Sequence, residues 1–199
     1  MILMRFIPDN AKENIRDLIN RYELNIIVVS ERKTKRGDFR VYNNGLKKIT
    51  LNQDSNKFRF LITLLHEISH QLVFQTFGNK VRPHGIEWKK IFKEISKPFL
   101  FDSIFPLSIL DAFKMYLKNP KSSTDLDMEL SMSLSEFDTL SDNFYIDKLE
   151  MGQLFLHKKK DIYKKISKKR KRYVCEKVSN GKLYLFQPNT LVLEYNEKR

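Results

Sequence analysis

Residues 57–77 constrain this chain more than any other stretch. Leu61, Leu65, Ile68 and Leu72 recur at the spacing of one helix face, and Gly78 follows where such a helix would stop. Inside the stretch lies Thr63-Leu-Leu-His66-Glu67-Ile-Ser-His70. On a helix, residues four apart stand one turn above each other, so His66 and His70 can aim at one point. Two neutral imidazoles so placed suit a metal ion. A carboxylate beside the first of them, Glu67, suits a general base toward a water on that ion. Zinc is the expected metal, because imidazole suits it and a catalytic zinc keeps three protein ligands and one open position.

The surrounding residues read as the rest of a folded unit. Asn10 with Glu13 matches a capping box ahead of a helix whose face is Ile15, Leu18, Ile19 and Tyr22. Residues 24–29, 39–42 and 48–52 read as strands, and Asn43-Asn44-Gly45 is a turn between the last two. Residues 86–96 read as a helix with Trp88, Ile91, Phe92 and Ile95 inward, and residues 99–118 read as apolar and helical. Residues 119–142, rich in Ser and Asp, read as a linker. Four short alternating runs follow: 154–156, 173–178, 182–187 and 191–195. Asn180-Gly181, between two of them, is a strong hairpin signal. The expected fold class is α+β, with a first domain over 1–118, an acidic linker over 119–142 and a basic all-β domain over 143–199.

The third ligand decides what kind of site this is. The long metzincin motif needs Gly at position 73 and His at 76, and the chain has Val73 and Thr76, which excludes it. His84 is the preferred third ligand: it precedes Gly85 at the start of the next helix, from where its side chain can be aimed back. Glu87 and Glu94 on that helix are the alternatives, although each has lysines at the spacing of surface pairs.

About 90 residues resemble the SprT-like family, on the evidence of residues 49–52, Leu64-Leu65-His66-Glu67 with His70, and His84-Gly85-x-Glu87-Trp88. The resemblance implies a minimal zincin-like domain, a short β-sheet packed on the helix of the motif. It also implies one zinc per chain held by His66, His70 and His84, and peptide cleavage with Glu67 as general base. The substrates it implies are proteins trapped on DNA, with DNA as activator. Arg172-Tyr-Val-Cys175 and Lys182-Leu-Tyr-Leu-Phe186 resemble the strands of the zinc ribbon that ends several members. With a single cysteine in the chain, the expected ribbon carries no zinc, and Cys175 is buried in it as a small hydrophobe.

Charge supplies the second functional expectation. The 199 residues carry 37 Lys+Arg against 24 Asp+Glu, a net of +13, which favours a polyanionic partner. Residues 157–199 hold 14 basic and 4 acidic residues, whereas residues 121–150 hold 2 and 8. The densest run is Lys158, Lys159, Lys160, Lys164, Lys165, Lys168, Lys169, Arg170, Lys171 and Arg172. Such density favours phosphate contacts, with Tyr163 and Tyr173 available to stack on bases. The expected partners are therefore single-stranded or non-specifically bound DNA, and protein substrates that add a strand to the sheet edge.

No apolar stretch approaches the roughly 20 residues that span a bilayer, and residues 1–8 lack the features of a secretory signal. The expected location is the cytoplasm, with no membrane partner. The competing reading is a nucleic-acid-binding protein whose zinc site is structural and which cleaves nothing. A third is a zinc hydrolase acting on a non-peptide bond. A retained Glu67 favours an enzyme over the structural site, since a structural site needs no general base.

Overall fold

The computed structural model describes residues 2–32, 34–54, 56–138, 143–157 and 160–195. The described residues form five α-helices and two sheets, a mixed α and β chain compatible with the α+β class. The chain divides into two units, Met1–Phe137 and Asp138–Arg199.

In the first unit, α1 (Lys12–Tyr22) is followed by β1 (Ile26–Val29), β2 (Gly37–Val41) and β3 (Lys47–Asn52). The sheet order is β1-β3-β2, with β1 parallel and β2 antiparallel to β3. At the turn between β2 and β3, the Gly45 amide donates to the Tyr42 carbonyl at 2.8 Å. Alternation along β3 sends Ile49 and Leu51 into the core, where both are fully buried, and sends Lys48, Thr50 and Asn52 the other way.

Helix α2 (Lys57–Phe77) runs through the middle of the core. Leu61, Leu65, Ile68 and Leu72 are buried as their spacing predicts, but so are Phe60, Ile62 and Leu64. A helix apolar on nearly all sides is a central one. Asn56 caps it, its side chain accepting from the amides of Phe58 and Arg59 at 3.1 and 3.0 Å. The Asn56 amide group also donates to the Leu134 carbonyl at 2.6 Å. Helices α3 (Ile86–Ser96) and α4 (Leu107–Lys118) complete the core through Trp88, Phe92, Ile109 and Phe113.

Two local expectations are corrected here. The capping box at Asn10 does not form. A 3-10 turn over Asp9–Ala11 comes first, α1 starts after Ala11, and the Asn10 side chain donates to the Ser103 carbonyl at 2.6 Å. The acidic segment is not a linker up to residue 137. Helix α5 (Met128–Ser135) lies inside it and buries Leu130 and Leu134 completely. Its Ser and Asp residues act as helix caps: Ser123 accepts from the Asp125 amide and Asp127 from the Leu130 amide, each at 3.2 Å. Residues 139–142 of that segment lie outside the described residues.

The second unit is a six-stranded sheet in the order β4-β9-β5-β6-β7-β8, antiparallel in every pairing. Its strands are β4 (Asn143–Tyr145), β5 (Leu154–His157), β6 (Asp161–Lys169), β7 (Arg172–Lys177), β8 (Leu183–Phe186) and β9 (Leu191–Glu194). The turn at Asn180-Gly181 joins β7 to β8, closed by the Gly181 amide on the Lys177 carbonyl at 2.9 Å. Phe155, Tyr163, Tyr173, Cys175, Phe186 and Val192 form its core with Ile146 and Leu149. Strand β6 carries Lys164, Lys165, Lys168 and Lys169 of the basic run, which the sequence does not mark as a strand. No helix among the described residues is long and apolar enough to cross a membrane.

Candidate metal centre

Helix α2 places His66 and His70 one turn apart on one side, as the motif requires. Their Nε2 atoms lie 3.1 Å apart, and the His84 Nε2 lies 3.0 Å from each. His84 reaches this point through a strained loop. Its φ is +57°, a left-handed backbone that few residues other than glycine adopt. Gly85 makes the turn possible by close approach, because a Cβ there would meet the Arg82 carbonyl oxygen at 2.9 Å. The Gly85 amide donates to that same oxygen at 3.0 Å.

The donor set fits a cation. Burial lowers the pKa of all three histidines, and the neighbouring imidazoles lower His66 and His70 further. Three neutral imidazoles thus turn nitrogens toward one point, and lone pairs so arranged repel unless a cation lies between them. Imidazole nitrogens that share one zinc at about 2.0–2.1 Å lie roughly 3.3 Å apart, within a few tenths of the spacing here. Among the described residues, the cluster consists of the three histidines alone. Glu94 instead pairs with Lys97 at 2.7 Å on the surface, and Glu87 is not part of the cluster.

Trp88, four residues after His84, forms the wall behind the site. Its ring centroid lies 4.6 Å from that of His66, 5.4 Å from His70 and 4.8 Å from His84, and it stacks on Phe92 at 4.9 Å. Trp88 is fully buried. The sequence marks it as an inward residue; its contact with all three imidazoles is a tertiary fact.

Glu67 is buried, and its carboxyl is pushed up to about 8. Burial is the main cause and the Asp38 carboxylate adds to it. Arg32, a hydrogen bond from the Phe39 amide and Lys35 pull the other way. Gly37 is the functional residue that sequence reasoning missed. A Cβ on it would meet Glu67 Oε1 at 2.6 Å and Cγ at 2.7 Å. The bare backbone at the start of β2 therefore makes room for the Glu67 side chain. The only sequence signal was a glycine at a turn-to-strand boundary.

His66 and Glu67 open into a cavity of about 400 Å³. Glu31, Arg32 and residues 34–37 form one side of it and residues 122–125 the other. The second side is fastened by Asp125, which pairs with Arg36 at 3.4 Å and with the buried Arg59 at 3.5 Å.

In the second unit, the structure separates the ten basic candidates. Lys160, Lys164, Lys168, Lys169, Arg170, Lys171 and Arg172 are exposed, and Lys158 and Lys159 lie outside the described residues. Lys165 is removed from the set of phosphate contacts, because it is only 2% exposed. Its ammonium donates to the carbonyls of Leu149 at 2.6 Å and Ile146 at 2.9 Å, and lies 3.8 Å from the Tyr173 ring centroid. Tyr163 and Tyr173 are buried in the sheet core and have no face for a base. The physical reason is strand alternation, which turns every second residue of a run inward.

The model of the SprT-like family matches residues 10–109. Protein SprT of Glaesserella parasuis serovar 5 (strain SH0165) is 44% identical over 50 residues, covering 25% of this chain and 31% of that protein. Protein SprT of Pseudomonas aeruginosa (strain UCBPP-PA14) is 46% identical over 33 residues, covering 17% of this chain and 20% of that protein. The chain thus spans less than a third of the length of these curated relatives. No solved structure matches it. With half its residues matched by one family model, and with the three histidines of the motif gathered at one point, the chain belongs to the SprT-like family.

Proposed function

We propose that the chain is a zinc-dependent metallopeptidase with a zincin-like catalytic unit, and that its substrates are proteins bound or crosslinked to DNA. The observation that carries the reading is the convergence of three neutral imidazole nitrogens within 3.1 Å, beside a buried carboxyl at the mouth of a cavity. A structural metal site would need the imidazoles but neither the carboxyl nor the cavity.

His66, His70 and His84 would hold the ion, which when bound supplies Lewis acidity to a water and to the scissile carbonyl. Glu67 takes the proton of the attacking water and passes it to the leaving amine. A carboxyl with raised proton affinity suits both halves of that transfer. The Phe39 amide and the bare backbone at Gly37 hold the Glu67 side chain in one position. Strand β2 is an edge of its sheet, so an extended polypeptide can pair with it beside the cavity. The DNA part of the reading rests on charge: seven exposed cations remain in the basic run of the second unit.

The test is metal content and proteolysis measured on the same preparations. Wild type should carry about one zinc per chain and cleave an unstructured protein. Glu67→Gln should keep the zinc and the fold while losing cleavage. Proteolysis unchanged in Glu67→Gln overturns the mechanism. Full zinc in His84→Ala overturns the ligand set.

A further inference from the structure

We propose that the outer face of the three-stranded sheet is a second nucleic-acid site, which seats the phosphodiester backbone of a single strand next to the catalytic cavity. It deepens the proposed function and rests on it for its purpose, though binding can be measured without cleavage.

The site is built by strand register. Lys48, Thr50 and Asn52 project from β3 away from the core. Arg40 of β2 stands opposite Lys48, and Asp38 stands opposite Thr50. Directly opposed residues on neighbouring strands share a face. The loop after β1 folds Arg32 back onto this face. Its guanidinium donates to Asn52 Oδ1 at 2.7 Å, to Thr50 Oγ1 at 3.0 Å and to the Thr50 carbonyl at 3.3 Å. These acceptors are neutral, so they fix the group without cancelling its charge. Asp38 positions two more cations, Lys35 at 3.0 Å and Arg40 at 2.6 Å. Arg32, Lys35, Arg40 and Lys48 thus line one shallow cavity of about 230 Å³ around a single carboxylate. Burial raises the Asp38 carboxyl, but hydrogen bonds and charge from Lys35 and Arg40 outweigh it and hold it ionised below its usual range.

Four cations around one anion repel each other, and a polyanion relieves that repulsion. The occupant is read as nucleic acid rather than an acidic peptide because of Tyr42. Its ring is 42% exposed at the end of the cavity, and the Lys48 ammonium lies 5.3 Å from its centroid. A ring face beside cations is what successive bases and phosphates use together. Arg32 and Lys35 also line the cavity that holds Glu67, so the two troughs share a wall. A strand lying on the sheet would bring a protein attached to it to the catalytic mouth.

The experiment measures binding of a labelled 20-nucleotide oligothymidylate to the full chain as a function of salt. Removing two phosphate contacts in Arg40→Ala/Lys48→Ala should flatten the log–log salt slope by about 1.4 and weaken binding roughly tenfold at low salt. Arg40→Gln/Lys48→Gln, which keeps side-chain length, should do the same, with melting temperature and Trp88 emission as in wild type. Zinc content should stay as in wild type, because neither residue belongs to the histidine cluster. Unchanged affinity and slope in both double variants overturn the proposal. So does displacement of the oligonucleotide by polyglutamate at equal charge, which would assign the face to acidic polypeptides. If wild type cleaves nothing while both double variants bind more weakly with the flatter slope, the peptidase reading fails and the binding site stands.

Discussion

Each unit of this protein buries titratable nitrogen, and the two do so in opposite ways. In the first unit, three imidazoles are stripped of charge by burial and left as acceptors facing one another. In the second, Lys165 keeps an ammonium inside the fold by giving its protons to the carbonyls of Ile146 and Leu149 and its charge to the face of Tyr173. Burial pulls the Lys165 pKa down, and Asp147 partly restores it. The first arrangement could hold an external cation. The second carries its own, in a chain whose single cysteine cannot make a cysteine-rich metal site.

The sharpest way to break this comparison is to remove the metal. Chelation should abolish proteolysis and destabilise the first unit by about 4 kcal/mol relative to protein kept at a thousandfold excess of zinc over its dissociation constant. Trp88 is the only tryptophan and touches all three imidazoles, so its emission reports that unit directly. Hydrogen exchange at β6 should not change. Equal loss of protection in both units would show that the second also depends on metal.

The converse substitution is Lys165→Met. It removes the ammonium from the carbonyls of Ile146, which still accepts from the Leu149 amide, and of Leu149, and should destabilise the second unit by about 2 kcal/mol. Zinc content and cleavage of an unstructured protein should remain as in wild type. A stability change under 1 kcal/mol in a denaturant titration would mean that the ammonium is not what organises residues 146–149.

Gly37→Ala tests how finely the first arrangement is held. The added methyl must displace a carboxylate that it would meet at 2.6 Å. A shift of about an ångström can lower turnover on the order of a hundredfold, here with zinc content and melting temperature nearly unchanged. Activity equal to wild type would show that Glu67 has room that this packing denies it.

The smallest effect concerns Cys175. Burial raises its thiol to about 11, with Lys165 pulling weakly in the opposite direction. At pH 8 the native thiol should therefore react with a disulfide reagent far more slowly than the unfolded chain. Lys165→Met should not make it faster unless the sheet opens. Rapid modification of native wild type would place Cys175 at the surface.

Much of the first unit is determined locally. The 3.6-residue period of α2 places His66 above His70, Asn56 and Gly78 bound that helix, and the glycine after His84 permits the turn that aims it; each depends on near neighbours in the chain. The same holds for the turns at Gly45 and Gly181. Three other features depend on distant residues coming together. Gly37 matters because β2 lies against Glu67, thirty positions later. Residues 122–135 belong to the first unit because Leu130 and Leu134 find a core and Asn56 reaches the Leu134 carbonyl. Composition saw only their serines and acids. The basic run shows the limit most clearly. Ten cations in fifteen residues read as one surface, yet a strand sends alternate side chains to opposite faces, and only the packing of β6 between β5 and β7 decides that Lys165 goes inside.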